Sequence, residues 1–163
     1  MTLTFLNSKE TKEILRKLNK QFGIITLNGI IVKRGKERLF LYQGSMEENL
    51  IKKMEYLYFN IERIGTYFAK LLQEKDKEVI RLSIEGTHLF KNQIKENIFE
   101  IPDEKALQSW MEGSELNIAS GLKGYVVMKY KNNLLGCGKA STEKITNFIP
   151  KSRRLKIKNL VKT

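Results

Sequence analysis

The side chains best suited to chemistry in this sequence are cations, and the chemistry they suit is phosphate binding. Residues 123–163 hold eleven Lys and Arg and one acid, Glu143, a net charge of +10. The whole chain of 163 residues carries +12, so residues 1–122 contribute only +2. Clustered like charge costs self-repulsion unless a polyanion neutralises it. Phosphate asks only for positive charge and N–H donors, which count most where several converge. The candidate RNA-binding residues are Lys139, Lys144, Lys151, Arg153, Arg154, Lys156 and Lys158. Arg153 and Arg154 offer two planar forks just after Pro150. Lys156 and Lys158 share a parity, opposite to Leu155 and Ile157, so a strand would put both cations on one face. Tyr125, Tyr130 and Phe148 lie nearby and suit either base stacking or the core. A merely solvated basic face is the plain alternative, and the near absence of acids from the same stretch argues against it.

Catalytic patterns fail. There is no GxxxxGK[ST] and no GxGxxG that opens a helix after a strand. Gly136-Cys137-Gly138 sits inside a strand pattern, where glycines admit a close approach of backbone or ligand. His88 is the one histidine and Cys137 the one cysteine, too few for an internal disulfide or a thiolate metal cluster. A lone Cys in an apolar strand is ordinarily inert packing, and His88 has no identifiable acid–base partner. Glu47, Glu48, Asp103 and Glu104 read as helix-entry residues. The expectation is a non-enzymatic protein with no cofactor and no metal. The N-terminus lacks the apolar core of a signal peptide, and no apolar run approaches the ~18 residues that span a bilayer. A cytoplasmic, soluble protein in a reducing compartment follows. A pI near 9.7 points first to nucleic acid and second to an anionic membrane surface, and the reading is RNA with no membrane.

The elements that must position these cations read as α+β. Ser8 is placed to cap a helix over residues 9–21, with Ile14, Leu15, Leu18 and Phe22 as its apolar stripe, Glu13 set to pair with Lys17, and Gly23 as its stop. Its basic outer face reads as solvated. Turn signals at Asn28-Gly29 and Arg34-Gly35-Lys36 divide a meander of strands over 24–27, 30–33 and 38–42. A helix over 46–54 burying Leu50, Ile51 and Met54 follows, then a strand over 56–61, a loop and strand from Gly65, a solvated turn over 74–78, a strand over 79–84 and a short helix over 87–93. Strands and helices do not alternate as in a parallel sheet. These residues, 1–91, form an N-terminal α+β domain. Residues 92–163 form a second domain: a strand over 98–101, a helix capped by Asp103 with Trp110 on its apolar face, strands over 125–130 and 134–140 joined at Asn132-Asn133, and a last strand over 155–161. That is a small barrel or pseudo-barrel, and its size implies packing on the first domain.

A family resemblance runs through the second domain. The run from Ile98 to Arg154 resembles a PUA domain, the RNA-binding module named for pseudouridine synthases and archaeosine transglycosylases. The matching features are the strand at Ile98, the helix with Trp110 and Gly113, Gly124-Tyr125-Val126-Val127, and Leu135-Gly136-Cys137-Gly138 ahead of Ser141-Thr142. This is similar to ribosome-biogenesis factors of the large subunit, which carry an α/β domain before a C-terminal PUA domain. The stretch from Ile64 to Lys70 also resembles their first domain. The run Asn147-Phe148-Ile149-Pro150-Lys151-Ser152-Arg153-Arg154-Leu155 looks instead like the PUA-like tail of rRNA cytosine-5 methyltransferases, with no methyltransferase domain present. The resemblance implies an α+β chain, a pre-PUA-like domain followed by a PUA-like β pseudo-barrel. It also implies binding of structured RNA, rRNA or tRNA, in ribosome biogenesis or rRNA processing, with ribosome-assembly or RNA-modification proteins as further partners. In that family the basic C-terminal region is the RNA surface, which here falls on Arg153, Arg154, Lys156 and Lys158. The rival is an accessory RNA-specificity subunit of a separate RNA-modifying enzyme. An enzyme in its own right finds no support in the motifs.

Overall fold

Helix α1 spans Ser8–Phe22 in a computed structural model that describes residues 2–57 and 60–156. Its cap is Asn7 rather than Ser8. The Glu10 amide donates to the Asn7 side chain and the Glu10 carboxylate accepts from the Asn7 amide, a reciprocal capping box. Ile14, Leu18 and Phe22 are buried, and Gly23 ends the helix at φ 81°. Glu13 does pair with Lys17, at 2.7 Å, and with Arg16 at the same distance.

The chain divides into two compact units, residues 1–97 and 98–163. In the first, strands β1 (Leu3–Phe5), β2 (Ile30–Arg34), β3 (Arg38–Tyr42), β4 (Thr66–Glu74) and β5 (Lys77–Leu82) form one antiparallel sheet in sequence order. One face carries Ile31, Leu39, Ile80 and Leu82, all buried, and α1 lies against β5, where Gln21 bonds both the amide and the carbonyl of Ile80. The other face carries Leu3, Val32 and Phe40, which pack with Ile51 of helix α2 (Glu48–Leu57) and with Ile64. Helix α3 (Ile84–Leu89) packs on β4 and β5.

Several expectations fail here for local reasons. Residues 24–27 are not a strand. The Ile25 and Thr26 amides donate to the Gln93 side chain, which donates back to the Thr26 carbonyl, so one side chain replaces a strand neighbour. Residues 56–61 are not a strand either. Helix α2 runs on to Leu57 and leaves Tyr56 89% exposed, while residues 60 and 61 are irregular and 58–59 lie outside the described residues. Leu50, expected in the core, is 49% exposed. The strand over 79–84 stops at Leu82 because the Ser83 side chain accepts from the Gly86 amide and starts α3 early. The β1 strand was not expected.

In the second unit, β6 (Ile98–Glu100) runs parallel to β7 (Gly124–Tyr130), which pairs antiparallel with β8 (Asn133–Ala140), and β8 with the short β9 (Ile145–Thr146). The β7–β8 turn is Lys131-Asn132, one residue earlier than expected, with Lys131 at φ 52°. Asp103 caps helix α4 (Glu104–Met111), as expected. Trp110 projects from α4 into a cluster of Ile101, Leu116, Val126, Met128, Ala140, Ile145 and Ile149. The expected final strand is absent at Leu155 and Lys156, which are irregular, and the rest of it, Lys158 included, lies outside the described residues. The architecture is α+β throughout. Among the described residues, no helix is long and apolar enough to cross a membrane.

Two measurements check this account. Hydrogen bonds from Arg16 and then Lys17 hold the exposed Glu13 carboxyl down to about 2. A depressed carboxylate adds stability above its ordinary value, and that contribution fades as pH falls toward 2. Carboxyl titration by NMR should place Glu13 near 2, and Arg16→Gln should move it up. Trp110→Ala should destabilise the second unit by about 3–5 kcal/mol in denaturant melts, because it empties the centre of that core.

Candidate nucleic-acid interface

The C-terminal end of α4 is where the basic segment is fastened. A helix end leaves carbonyls without intrahelical partners. Here Asn147 Nδ2 donates to the carbonyls of Trp110 (2.7 Å) and Ser114 (3.0 Å), and the Leu155 amide donates to the Met111 carbonyl at 2.8 Å. Asn147 Oδ1 accepts from the Ile149 amide, which sets Ile149 into the core. Residues 147–155 are thus strapped across the helix end, and the 3₁₀ turn Lys151–Arg153 stands out from the strap after Pro150. The Arg153 amide closes that turn on the Pro150 carbonyl at 2.8 Å.

The cations named from the sequence have different environments. Lys151, Arg153 and Lys156 are exposed on or beside this turn. Arg154 is half-buried: its Nε donates to the Ile149 carbonyl at 3.0 Å, and its side chain lies over Gly113, where a Cβ would collide with it. Gly113 also has φ 96°, so Ala there is disfavoured twice. Arg154 therefore holds the strap in place, and a cation at a helix C-terminus is favourable in itself. Lys144, in the β8–β9 turn, pairs with Glu115 at 2.7 Å. Lys139 sits opposite Tyr125 in register, with its Nζ 5.3 Å from the centre of that ring. The Tyr125 ring in turn meets Phe148 at 5.9 Å. These contacts bring Lys139 to the start of the strap. Lys158 lies outside the described residues.

The aromatic residues are less available than their types suggest. Tyr125 is only 8% exposed and serves as a pedestal for Lys139 rather than an open stacking platform. Tyr130 packs against the core with Lys131 over its ring at 5.2 Å. The second glycine of Leu135-Gly136-Cys137-Gly138 also acquires a definite purpose. A Cβ on Gly138 would lie 2.5 Å from Ile145 and 2.8 Å from Trp110, so the close approach is by the core and not by a ligand. Cys137 is buried beside it. Lys129, near Glu100 at 3.5 Å, and Lys131 add cations at the far end of the β7–β8 hairpin that the sequence reading left aside.

In the first unit, a cleft of about 470 Å³ between α1 and the sheet is lined by Lys9, Lys17 and Lys33 but also by Glu10, Glu13 and Glu78. Its charges balance, so it selects no anion.

Replacing Asn147 by Ala should cost about 1–3 kcal/mol of stability, because it removes the bonds to the Trp110 and Ser114 carbonyls and to the Ile149 amide that fasten the strap. Lys151→Ala, on the exposed turn, should stay within about 0.5 kcal/mol. Chemical denaturation of the two variants separates strap from surface.

Comparison with known proteins agrees with this geometry. Residues 96–155 match the Methyltransferase RsmF PUA domain family, a stretch that takes in β6 to the basic turn. The chain is also similar to the ribosomal RNA small subunit methyltransferase F of Psychromonas ingrahamii, 26% identical over 133 residues. That alignment covers 80% of this chain, more than the second unit holds, so it extends into the first. The chain spans 26% of the length of that relative. Of the two resemblances in the sequence, the methyltransferase one is the one these comparisons carry. The second unit is a PUA-type domain related to that of the rRNA cytosine-5 methyltransferases.

Proposed function

We propose that the protein binds structured RNA, and rRNA in particular, through the basic surface of its second unit, in ribosome biogenesis or rRNA processing. The observation that carries this reading is the strap: exposed Lys151, Arg153 and Lys156 are held on a fixed turn in a PUA-type domain by Arg154 and Asn147. Lys139 extends the surface from β8, and Lys144, shared with Glu115, contributes less. Lys158 belongs to the same basic run. Capture is electrostatic, and selectivity comes from RNA shape and splayed bases. The first unit is a pre-PUA-like domain that presents a surface to a ribosome-assembly or RNA-modification partner.

A second reading follows from the relative's name. The chain supplies RNA specificity to a separate rRNA-modifying catalytic chain. It predicts a stable complex with such an enzyme, and a pull-down that returns only ribosomal precursors and assembly factors counts against it.

The test is binding to a labelled small-subunit rRNA transcript over a range of salt. Affinity should fall steeply, by about 0.7–0.9 in log K per log salt for each phosphate contact. Changing Lys151, Arg153 and Lys156 together to Gln should remove about three such contacts, and thermal unfolding checks that the variant is folded. Unaltered affinity and slope would sink the surface, and no binding by the wild-type protein would sink the reading.

A further inference from the structure

The register of the first sheet aligns four cations that the sequence scatters over 48 positions. Arg34 of β2 is directly opposite Arg38 of β3, Arg38 is opposite Lys70 of β4, and Lys70 is opposite Arg81 of β5. All four therefore stand on one face of the sheet. Like charges directly opposite one another destabilise a sheet, and here they run through four adjacent strands. The acids about this row are fewer: Glu37 pairs with Lys70 at 3.2 Å, and Glu85 and Glu74 lie on adjoining segments.

The four are not equivalent. Arg34 is 9% exposed; its Nη2 donates to Asn60, and its Nη1 finds no partner among the described residues. It acts as a fixed positive charge beneath the surface. Arg38 is exposed, and Lys70 and Arg81 are half-exposed. Helix α2 covers this face over β1 to β3, through Ile51 against Leu3, Val32 and Phe40. Over β4 and β5 the same face keeps Leu72 and Val79 half-buried, and Tyr67 packs against the edge of that cluster with part of its side chain exposed. Tyr67 leans on Phe40 at 5.5 Å, with Arg38 and Arg81 close enough to act on its hydroxyl. Cations beside an aromatic ring and apolar side chains on a strand pair suit a nucleic-acid strand: phosphates on the charges, a base or ribose on the ring.

We propose that this half-face, Arg38, Lys70 and Arg81 around Tyr67, is a second RNA-contact surface, on the first unit and separate from the basic turn of the second. The inference rests on the RNA-binding reading above. It gives the first unit a direct part in RNA capture in addition to any protein partner.

The experiment uses the full chain, the same labelled small-subunit rRNA transcript and a salt titration. The triple variant Arg38→Gln, Lys70→Gln, Arg81→Gln should bind about tenfold or more weakly at moderate salt and lower the slope of log K against log salt by about 2–3. A second triple variant, Lys12→Gln, Lys20→Gln, Lys91→Gln, removes the same charge from exposed positions elsewhere on the unit and should change the slope by less than one. Thermal unfolding checks that each variant is folded, and if the triple variant is not, Arg38→Gln alone, on an exposed side chain, should lower the slope by about one. If wild-type protein binds and the sheet variants keep its slope, or the control triple variant loses as much, the second surface is refuted and the RNA reading stands. If wild-type protein does not bind the transcript, both fall.

Discussion

The C-terminal end of α4 decides the shape of the candidate interface. Its last carbonyls have no partner further along the helix. Ser109 and Trp110 accept the amides of Ser114 and Gly113 just past the helix, while one distant segment supplies the rest: the Asn147 side chain adds a bond to Trp110 and one to Ser114, and the Leu155 amide caps Met111. Once those bonds are made, the chain between them must cross the helix end, with Ile149 turned inward and Lys151–Arg153 turned out. A cation is favoured there in any case, and Arg154 fills that place by lying over a glycine. The basic turn is thus a by-product of capping a helix. That explains how consecutive cations acquire a fixed arrangement without forming a strand.

The same helix accounts for Gly138 of β8. Trp110 sits one residue from the helix end and reaches Gly138 of β8 beside Ile145 of β9. Any side chain at position 138 would meet it. Gly138 of the Leu-Gly-x-Gly run and the Trp are therefore two sides of one packing contact. Core geometry and cation placement are coupled through a single helix, so the motif that looks like a ligand loop does its work inside.

Much of the fold is legible in the sequence because it rests on local rules. The stop at Gly23, the cap at Asp103, the Glu13–Lys17 pair, the β2–β3 turn and the β7–β8 hairpin each depend on residues a few positions apart. The failures depend on distant ones. Residues 24–27 have strand composition but receive Gln93 as a partner, 67 positions on for Thr26. The α2 helix overruns its expected end while its Glu55 carboxylate accepts the Leu3 amide, 52 positions away. At the interface, the cations themselves are plain to read, but the distinction between Arg153, which is exposed, and Arg154, which is built in, is not. Two adjacent arginines look alike until Gly113 and the Ile149 carbonyl are known to lie under one of them.

Charge shows the same division between local and distant information. Along the sequence the cations gather in the last quarter. In the fold, the first unit holds eighteen Lys and Arg against twelve acids, and the second holds twelve against six, so each carries the same +6. The acids of α4 and its flanks, Glu100, Asp103, Glu104, Glu112 and Glu115, offset part of the basic run, and two of them are spent on Lys129 and Lys144. The first unit instead dilutes its excess along the sequence and reassembles part of it by strand register, where Arg38, Lys70 and Arg81 become neighbours. A linear charge count sees a balanced domain and a basic tail. Division between the two units gives two cationic bodies instead, and strand pairing, through the cost of like charges in adjacent strands, makes the first one worth explaining.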